Sequence, residues 1–309
     1  MKKQTIVTLV GVGAVLASVF AVSVAGADQG GGWLSGRLAN LKLEVPSGVT
    51  FSVQDGERTH ALRVFRDQNG VLAHSTSNQI ESGNWSGYVL AHYETGVTYT
   101  SAAGLWAVPS AAVPPGQTTG YSSSWVGIGG FCENANCTKG DSSLIQLGTE
   151  SDAKTSGASY YAWYETLPQS ETMIRGFAVK PGDSIAASLK LLSSARFNQT
   201  WQLSIKDVTT GATWSKNVSY RSSELSAEWI QEAPSSYSGV LPLANFGTAS
   251  FDLGTVNGST NPAFTAANEV IMLNPHGETS NPSAPDIDTD GFNACWGNGT
   301  LASCSVPTS

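Results

Sequence analysis

The amino-acid sequence predicts an all-β protein built as a sandwich. From Asn84 onward, short runs rich in Val, Ile, Tyr and Trp alternate with Gly, Pro, Asn and Ser, as in "NWSGYVLAHY" and "VTYTSAAGLWAVP". No segment repeats apolar residues at the 3.6-residue spacing of a helix. The run "DVTTGATW" places Gly211 in a hairpin turn. Many short strands at regular spacing are typical of a β-sandwich or jelly roll.

The first residues predict export. Lys2 and Lys3 precede the apolar stretch "TIVTLVGVGAVLASVFAVSV", and the small residues "AGA" follow at Ala25–Ala27. This is the pattern of a cleavable signal peptide. An uncleaved anchor is the alternative, because the apolar run approaches the ~18 residues that span a bilayer. The small residues at Ala25–Ala27 favour cleavage. We therefore expect a signal peptide at 1–27 and a secreted, bacterial protein that has no membrane association after cleavage.

Residues 28–78 differ from the rest of the chain. They hold five basic and five acidic residues, have no cysteine, and pass into the polar run "HSTSNQIESGN". That run has the composition of a linker. In an exported enzyme a removable propeptide would stand here, and an ordinary N-terminal subdomain is the alternative. We predict a propeptide at 28–78, a junction between Ala73 and Ser82, and a catalytic domain at 79–309.

The charge of the predicted catalytic domain is strongly negative. From Gln79 onward, nine Lys or Arg face nineteen Asp or Glu, a net charge of −10. Such a surface argues against nucleic-acid partners, which need a basic stripe. It suits work at low pH, where protonated carboxylates no longer repel one another. We expect a monomer that does not bind nucleic acid.

Four cysteines form two pairs that are close in sequence. Four cysteines allow three connectivities, and export makes disulfides plausible. We predict Cys132–Cys137 and Cys295–Cys304, the second pair fixing the loop-rich C-terminal tail. A zinc site is the alternative, but no histidine lies near either pair and the spacings are unusual for zinc.

Alternation along the strands predicts a second, functional face. In "LIQLGTE" the apolar Ile145 and Leu147 should face the core. The opposite face then carries glycines, aromatics and polar side chains, and a solvated face would carry more Lys, Thr, Ser and Arg. This composition favours a ligand groove. The residues that alternation assigns to it include Trp125, Gly127, Gly129, Gln146, Glu150, Trp163 and Glu165.

The run "SAEWIQEAP" adds two glutamates to this face. Glu228 and Glu232 are four residues apart, which is roughly 13 Å along a strand. They are therefore too far apart to act as a coupled carboxylate pair. One of them needs a partner on another strand.

Common hydrolase motifs are absent from the sequence. There is no Gly-x-Ser-x-Gly elbow and no His-Glu-x-x-His zinc motif. Asp286–Gly291 reads Asp-x-Asp-x-Asp-Gly without the glutamate of an EF-hand. We interpret it as a polar loop, with weak calcium binding as the alternative. The paired carboxylates of a sandwich glycosidase, or an amide beside a carboxylate, remain open.

Six motifs in order resemble the glutamic peptidases, or eqolisins. They are "NWSGYV", "LWAVP", "SSWVGIGG", "LIQLGTE", "YAWYETLP" and "AEWIQEAP", spread over Asn84–Leu253. The resemblance implies a concanavalin A-like jelly roll of two seven-stranded antiparallel sheets. It also implies acid endopeptidase activity on polypeptides, an acid-removed propeptide that inhibits the enzyme, and no metal or other cofactor.

The resemblance also implies roles for single residues. The family's catalytic dyad matches Gln146 and Glu232, with Glu232 as general base and Gln146 stabilising the oxyanion. Two departures are Gly129 and Glu150, where the family often has Asp. A carbohydrate-active or carbohydrate-binding sandwich, and a non-catalytic relative, are the alternatives. We expect substrate to be bound by Trp125, Gly127, Gly129, Glu150, Trp163 and Glu165.

Overall fold

The computed structural model describes residues 32–195 and 198–308. The predicted signal peptide at 1–27 therefore lies outside the described residues. Within these two ranges, no helix is long and apolar enough to cross a membrane.

Strands dominate the described residues, and the helices are short. The helices are α1 (Gly32–Leu38), α2 (His92–Thr95) and a 3-10 turn at Ala266–Asn268. The strands are β1 (Lys42–Glu44), β2 (Val64–Arg66), β3 (Ile80–Ser82), β4 (Trp85–Ala91), β5 (Ser101–Ala107), β6 (Thr119–Gly129), β7 (Leu144–Lys154), β8 (Gly157–Thr166), β9 (Thr172–Met173), β10 (Ser184–Ala195), β11 (Asn198–Asp207), β12 (Thr213–Ser219), β13 (Ser226–Glu232), β14 (Ser235–Ser236), β15 (Gly239–Val240), β16 (Thr248–Val256), β17 (Glu269–Leu273), β18 (Glu278–Pro282) and β19 (Phe292–Asn298).

The strands form two antiparallel layers around one main core. The first layer has the order β9–β8–β7–β6–β13–β4–β17. The second layer has the order β12–β11–β10–β5–β16–β19–β18. Apolar side chains from both layers fill the space between them, with Trp106, Trp201 and Trp229 among the largest. The predicted all-β sandwich is confirmed.

The layers are joined, which differs from the expectation of two separate seven-stranded sheets. Strand β18 pairs with β17 in the first layer and with β19 in the second, so hydrogen bonding runs from one layer into the other. Beyond β17, the parallel strand β3 and then β2 and β1 extend the network to seventeen strands. The N-terminal segment, by which we mean residues 32–78, supplies β1 and β2, and this contribution was not visible in the sequence.

Both predicted disulfides are present. Cys132 bonds to Cys137 in the loop after β6, and Cys295 on β19 bonds to Cys304 in the tail. The second bond ties the C-terminal residues to the second layer, as the sequence predicted.

A second apolar cluster covers the outer face of the first layer. Trp125, Trp163 and Ile230 belong to it, whereas Ile145 and Leu147 lie in the main core. The predicted alternation is therefore correct. The N-terminal segment packs onto this outer face, and its buried apolar residues there are Ala61, Leu62, Val64 and Leu72.

Candidate active site

Four neighbouring strands of the first layer, β8–β7–β6–β13, form the floor of the candidate site. Gln146 on β7 pairs with Glu165 on β8 and with Gly127 on β6. Glu232 ends β13, two strands away from β7, and pairs with Ser123. Antiparallel register thus places an amide and several carboxylates on one face of adjacent strands.

Glu232 is fully buried and held by three donors. Its Oε1 accepts a hydrogen bond from Asn84 Nδ2 at 2.9 Å, and its Oε2 accepts one from Trp125 Nε1 at 2.7 Å. His60 Nδ1 lies 3.0 Å from the same Oε2. Burial raises the pKa of Glu232, and His60 opposes this shift. Asn84 and Trp125 are neutral donors, so they stabilise the carboxylate without adding charge.

Gln146 is fully buried next to Glu165. Its Nε2 donates to Glu165 Oε2, while its own Oε1 has no hydrogen-bond partner. The same Glu165 oxygen accepts the backbone N–H of His60 at 3.1 Å. Burial raises the pKa of Glu165 to about 7, although the charge of His60 lowers it. Glu165 and His60 therefore link the amide of Gln146 to the carboxylate of Glu232.

His60, from the N-terminal segment, fills the centre of this face. Its ring stacks on Trp163 with a centroid distance of 3.8 Å and an interplanar angle of 1°. Its Nε2 lies 3.0 Å from Glu171 Oε2, and its carbonyl accepts from Trp85 Nε1 at 3.0 Å. Burial alone would lower the pKa of His60, but Glu232 and Glu171 outweigh burial and raise it. His60 is thus a buried cation between two carboxylates.

Arg58 occupies the neighbouring part of the face. Its guanidinium makes paired hydrogen bonds to Asp152 at 2.8 and 2.7 Å and another to Glu150 Oε1 at 2.9 Å. The same group lies 4.7 Å from the centroid of the Tyr121 ring. Bidentate pairing with a carboxylate is among the stronger side-chain interactions of a folded protein.

The predicted glycines serve packing and backbone shape. A Cβ on Gly127 would lie 2.8 Å from the Trp125 ring. Gly129 has a φ of +83°, and a Cβ there would lie 2.1 Å from the Ser143 carbonyl oxygen. Gly127 therefore leaves room for the Trp125 ring, and Gly129 lets the chain bend at the end of β6.

Glu228 is placed apart from these contacts. It is fully buried, and neither of its carboxylate oxygens has a hydrogen-bond partner. Burial raises its pKa well above the usual range. The structure shows no contact between Glu228 and Glu232, in line with their separation along β13.

Sequence reasoning missed several residues of the site. Asn84 lies in the motif "NWSGYV", but its contact with Glu232 was not expected. Glu171, Arg58 and His60 were not singled out at all. Charge was the one sequence feature that could have indicated them. Arg58 and His60 form a basic Arg-Thr-His run, and the chain from Gln79 onward is acidic, so the two could attract each other.

Two groups of described side chains have metal-ligand spacing. His60, Glu150 and Glu171 form one, but there Arg58 and the two carboxylate contacts of His60 already balance the charge. The other group lies elsewhere, on β16 and the loop before β19. We call the face of β8–β7–β6–β13 that the N-terminal segment covers the cleft. It offers an amide, a carboxylate and fixed neutral donors, which suits attack of water on a polarised carbonyl.

Comparison with known proteins gives consistent matches. The model of the Peptidase A4 family matches residues 83–284. Aspergillopepsin-2 from Aspergillus niger is 29% identical over 207 residues, covering 60% of this chain and 68% of that protein. Scytalidopepsin B from Scytalidium lignicola is 26% identical over 199 residues, covering 63% and 68%. A solved scytalido-glutamic peptidase with a transition state analog inhibitor has a TM-score of 0.47 and 22% identity, covering 70% of this chain and 98% of that one.

Proposed function

Because the chain belongs to the Peptidase A4 family, and is therefore a glutamic-type endopeptidase acting on polypeptides, we propose that it is a secreted acid enzyme with a Gln146–Glu232 dyad. The observation that supports the dyad is the placement of both side chains, fully buried, on the one face that His60 fills. Secretion is supported by the signal-peptide pattern of residues 1–27.

Glu232 supplies the base. A water on the Glu232 carboxylate attacks the peptide carbonyl carbon and gives its proton to the carboxylate. Burial raises the pKa of Glu232 while the N-terminal segment covers it. When that segment leaves, water reaches the carboxylate and the burial penalty falls, while Trp125 and Asn84 still donate to it. The ionised base is therefore available in acid.

Gln146 supplies the oxyanion donor. Its Nε2 hydrogen-bonds the carbonyl oxygen as negative charge develops there. The C–N bond then breaks as the proton on Glu232 passes to the leaving amine, which yields a carboxylic acid and an amine and restores the enzyme.

Two substitutions test the dyad. Glu232→Gln and Gln146→Ala should each lower kcat on acid-denatured haemoglobin at pH 3–4 by at least about 100-fold, in the range for losing a general base or an oxyanion donor. Glu228→Gln is the matched control, because it lies on the same strand and makes no contact with the dyad. A Glu232→Gln enzyme with wild-type activity would end the proposal.

The N-terminal segment is proposed to be the inhibitory propeptide. His60 Nδ1 lies 3.0 Å from Glu232 Oε2, where the attacking water would bind. Arg58 adds the contacts to Asp152 and Glu150. Within the expected junction, residues 76–78 are exposed, which is where a protease reaches a chain most readily.

This role is tested by comparing two histidines of the same segment. His60→Ala should leave the unprocessed chain measurably active on a short peptide at pH 5, whereas the unprocessed wild type is inactive. His74→Gln is the control, since its ring contacts the Leu72 carbonyl outside the cleft. Equal inactivity of all three unprocessed chains would contradict the role of His60 without affecting the dyad.

A further inference from the structure

Three carboxylates converge at a place that the proposed reaction does not use. Asp252 belongs to β16 in the second layer, and Asp286 and Asp290 belong to the loop between β18 and β19. One carboxylate oxygen from each lies within 4.8 Å of the others.

Two of these carboxylates are buried with an oxygen that has no partner. Asp286 is 5% exposed and Asp290 is 7% exposed. Asp286 Oδ1 accepts the Asp290 N–H at 3.1 Å, but Asp286 Oδ2 and Asp290 Oδ1 have no hydrogen-bond donor. An ionised oxygen that is removed from water and left without a donor is costly. The two oxygens therefore indicate a missing positive partner.

The backbone holds the loop tightly against β16. Pairing of β16 is irregular between Asp252 and Thr255, and Gly254 N–H donates to the Asp290 carbonyl at 3.0 Å. A Cβ on Gly291 would lie 2.2 Å from Asp286 Oδ2. Glycine at 291 thus leaves the space that the unpaired oxygen faces.

No basic side chain balances this charge in the described part of the chain. None of the ion pairs found there includes Asp252, Asp286 or Asp290. A bound cation would supply the missing positive charge.

We propose that Asp252, Asp286 and Asp290 bind one calcium ion. Ca²⁺ takes six to eight oxygen ligands in a flexible geometry, so backbone and water oxygens can complete three carboxylates, whereas Mg²⁺ demands near-ideal octahedral geometry and gives up its waters reluctantly. Zinc prefers His and Cys, which this group lacks. The loop has no EF-hand glutamate, and Asp252 from the neighbouring strand supplies a carboxylate in its place.

The full-length exported protein tests the proposal without any substitution. After treatment with a chelator and its removal, CaCl2 is titrated at pH 7 by calorimetry, and the thermal midpoint is followed. We expect one ion per chain and a rise in Tm of roughly 5–10 °C at about 100 times Kd. Neither heat nor a shift in Tm, or MgCl2 binding as tightly as CaCl2, would overturn it.

Substitutions then locate the ion. Asp286→Asn and Asp252→Asn should each weaken calcium binding at least about tenfold, because each removes one charged ligand. Glu133→Gln is the control, since it removes a negative charge from the loop between β6 and β7, where Glu133 pairs with Lys139 and not with the three aspartates. Circular dichroism confirms folding of each variant. Folded variants that bind calcium like the wild type would show that these residues do not hold it.

Discussion

At the scale of single residues, Glu165 differs from an ordinary glutamate because it holds its proton up to a much higher pH. Its pKa is raised to about 7 by burial, so below that pH the folded protein keeps it neutral. When the segment leaves, the charge of His60 that lowers this pKa is lost, and part of the burial that raises it is lost as well, so the two changes oppose each other. At the acid pH where the enzyme is proposed to work, Glu165 is therefore a carboxylic acid that positions Gln146.

This protonation state predicts the behaviour of two variants. Glu165→Gln, a neutral isostere that can still accept from Gln146, should keep kcat at pH 4 within about threefold of the wild type. Glu165→Ala leaves the amide without its partner and should lower kcat about tenfold, the effect of losing one hydrogen bond. Steady-state kinetics measure both, on chains held at the acid pH where the proposed processing occurs. If Glu165→Gln is as inactive as Glu232→Gln, an ionised Glu165 is required.

The sequence allowed some residues of the site to be predicted and not others. Alternation placed Gln146 and Glu232 on the functional face, and the resemblance of their motifs to the glutamic peptidases implied the dyad, because each motif lies within one strand. His60 lies far from Glu232 along the chain and faces it through a segment with no regular pattern. Such contacts depend on where the N-terminal segment packs on the domain. The alternation of residues within one strand does not predict that position.

At the scale of elements, Gly148 at the centre of β7 sets how closely the aromatic walls approach the floor. A Cβ at this position would lie 2.5 Å from Trp125 Cβ and 2.6 Å from the Ser124 carbonyl oxygen. Gly148→Ala should therefore cost about 1–3 kcal/mol in the free energy of unfolding through overpacking. Gly36→Ala in α1 is the control, because nothing lies within 4 Å of its added Cβ.

Denaturant unfolding of the full chain measures the difference between the two alanine variants. The control should be neutral or slightly stabilising, since alanine favours the helix. Equal stability of both variants would show that β7 can shift to accept the methyl group.

Element patterns also explain what was missed in the fold. Runs with strong alternation, such as β6, β7 and β13, were recognised as strands. The short strands β1 and β2 each have three residues, too few for a periodic signal. The pairing of β1 with β2, and of β2 with β3, depends on the docked N-terminal segment, so the extended network could not be foreseen.

At the scale of the whole molecule, acid should release the N-terminal segment. The raised pKa of His60 keeps it cationic throughout the acid range. Contact with His60 outweighs burial and lowers the pKa of Glu171. The stabilisation that this ion pair gives to the docked segment is therefore present above the usual pKa of 4.5, and it is lost as pH falls through the lowered pKa. The raised pKa of Glu232 acts in the opposite sense, because a carboxyl group whose pKa is raised in the docked state favours docking as pH falls. Protonation of Glu171 is therefore the change that weakens the contacts of His60 in acid.

The predicted result is processing that begins as pH falls to about 4.5 and below. Mass spectrometry of the full chain held at pH 3 to 7 should show loss of the segment in acid and its retention at pH 7. His60→Gln removes the titrating contacts, so its processing should be faster at pH 5–6 and less dependent on pH. An unchanged pH profile in that variant would show that other groups control release.

Two properties of the whole chain, its negative net charge and its family, bear on which class of enzyme it is. An acidic surface with few cations suits work at low pH, and membership of the Peptidase A4 family decides against the carbohydrate-active alternative. Neither the net charge nor the family match indicated that Arg58 and His60 would cover the cleft.

The N-terminal segment is joined to the domain that it covers, and this has a kinetic consequence. While the chain is intact, Arg58 and His60 meet the cleft at the effective concentration of a short tether, of order millimolar. Cutting the exposed turn at residues 76–78 makes the same encounter bimolecular. Under the proposed roles of secretion and of the segment as inhibitor, cleaved enzyme should lose its residual inhibition on dilution, and release into a large volume would complete activation.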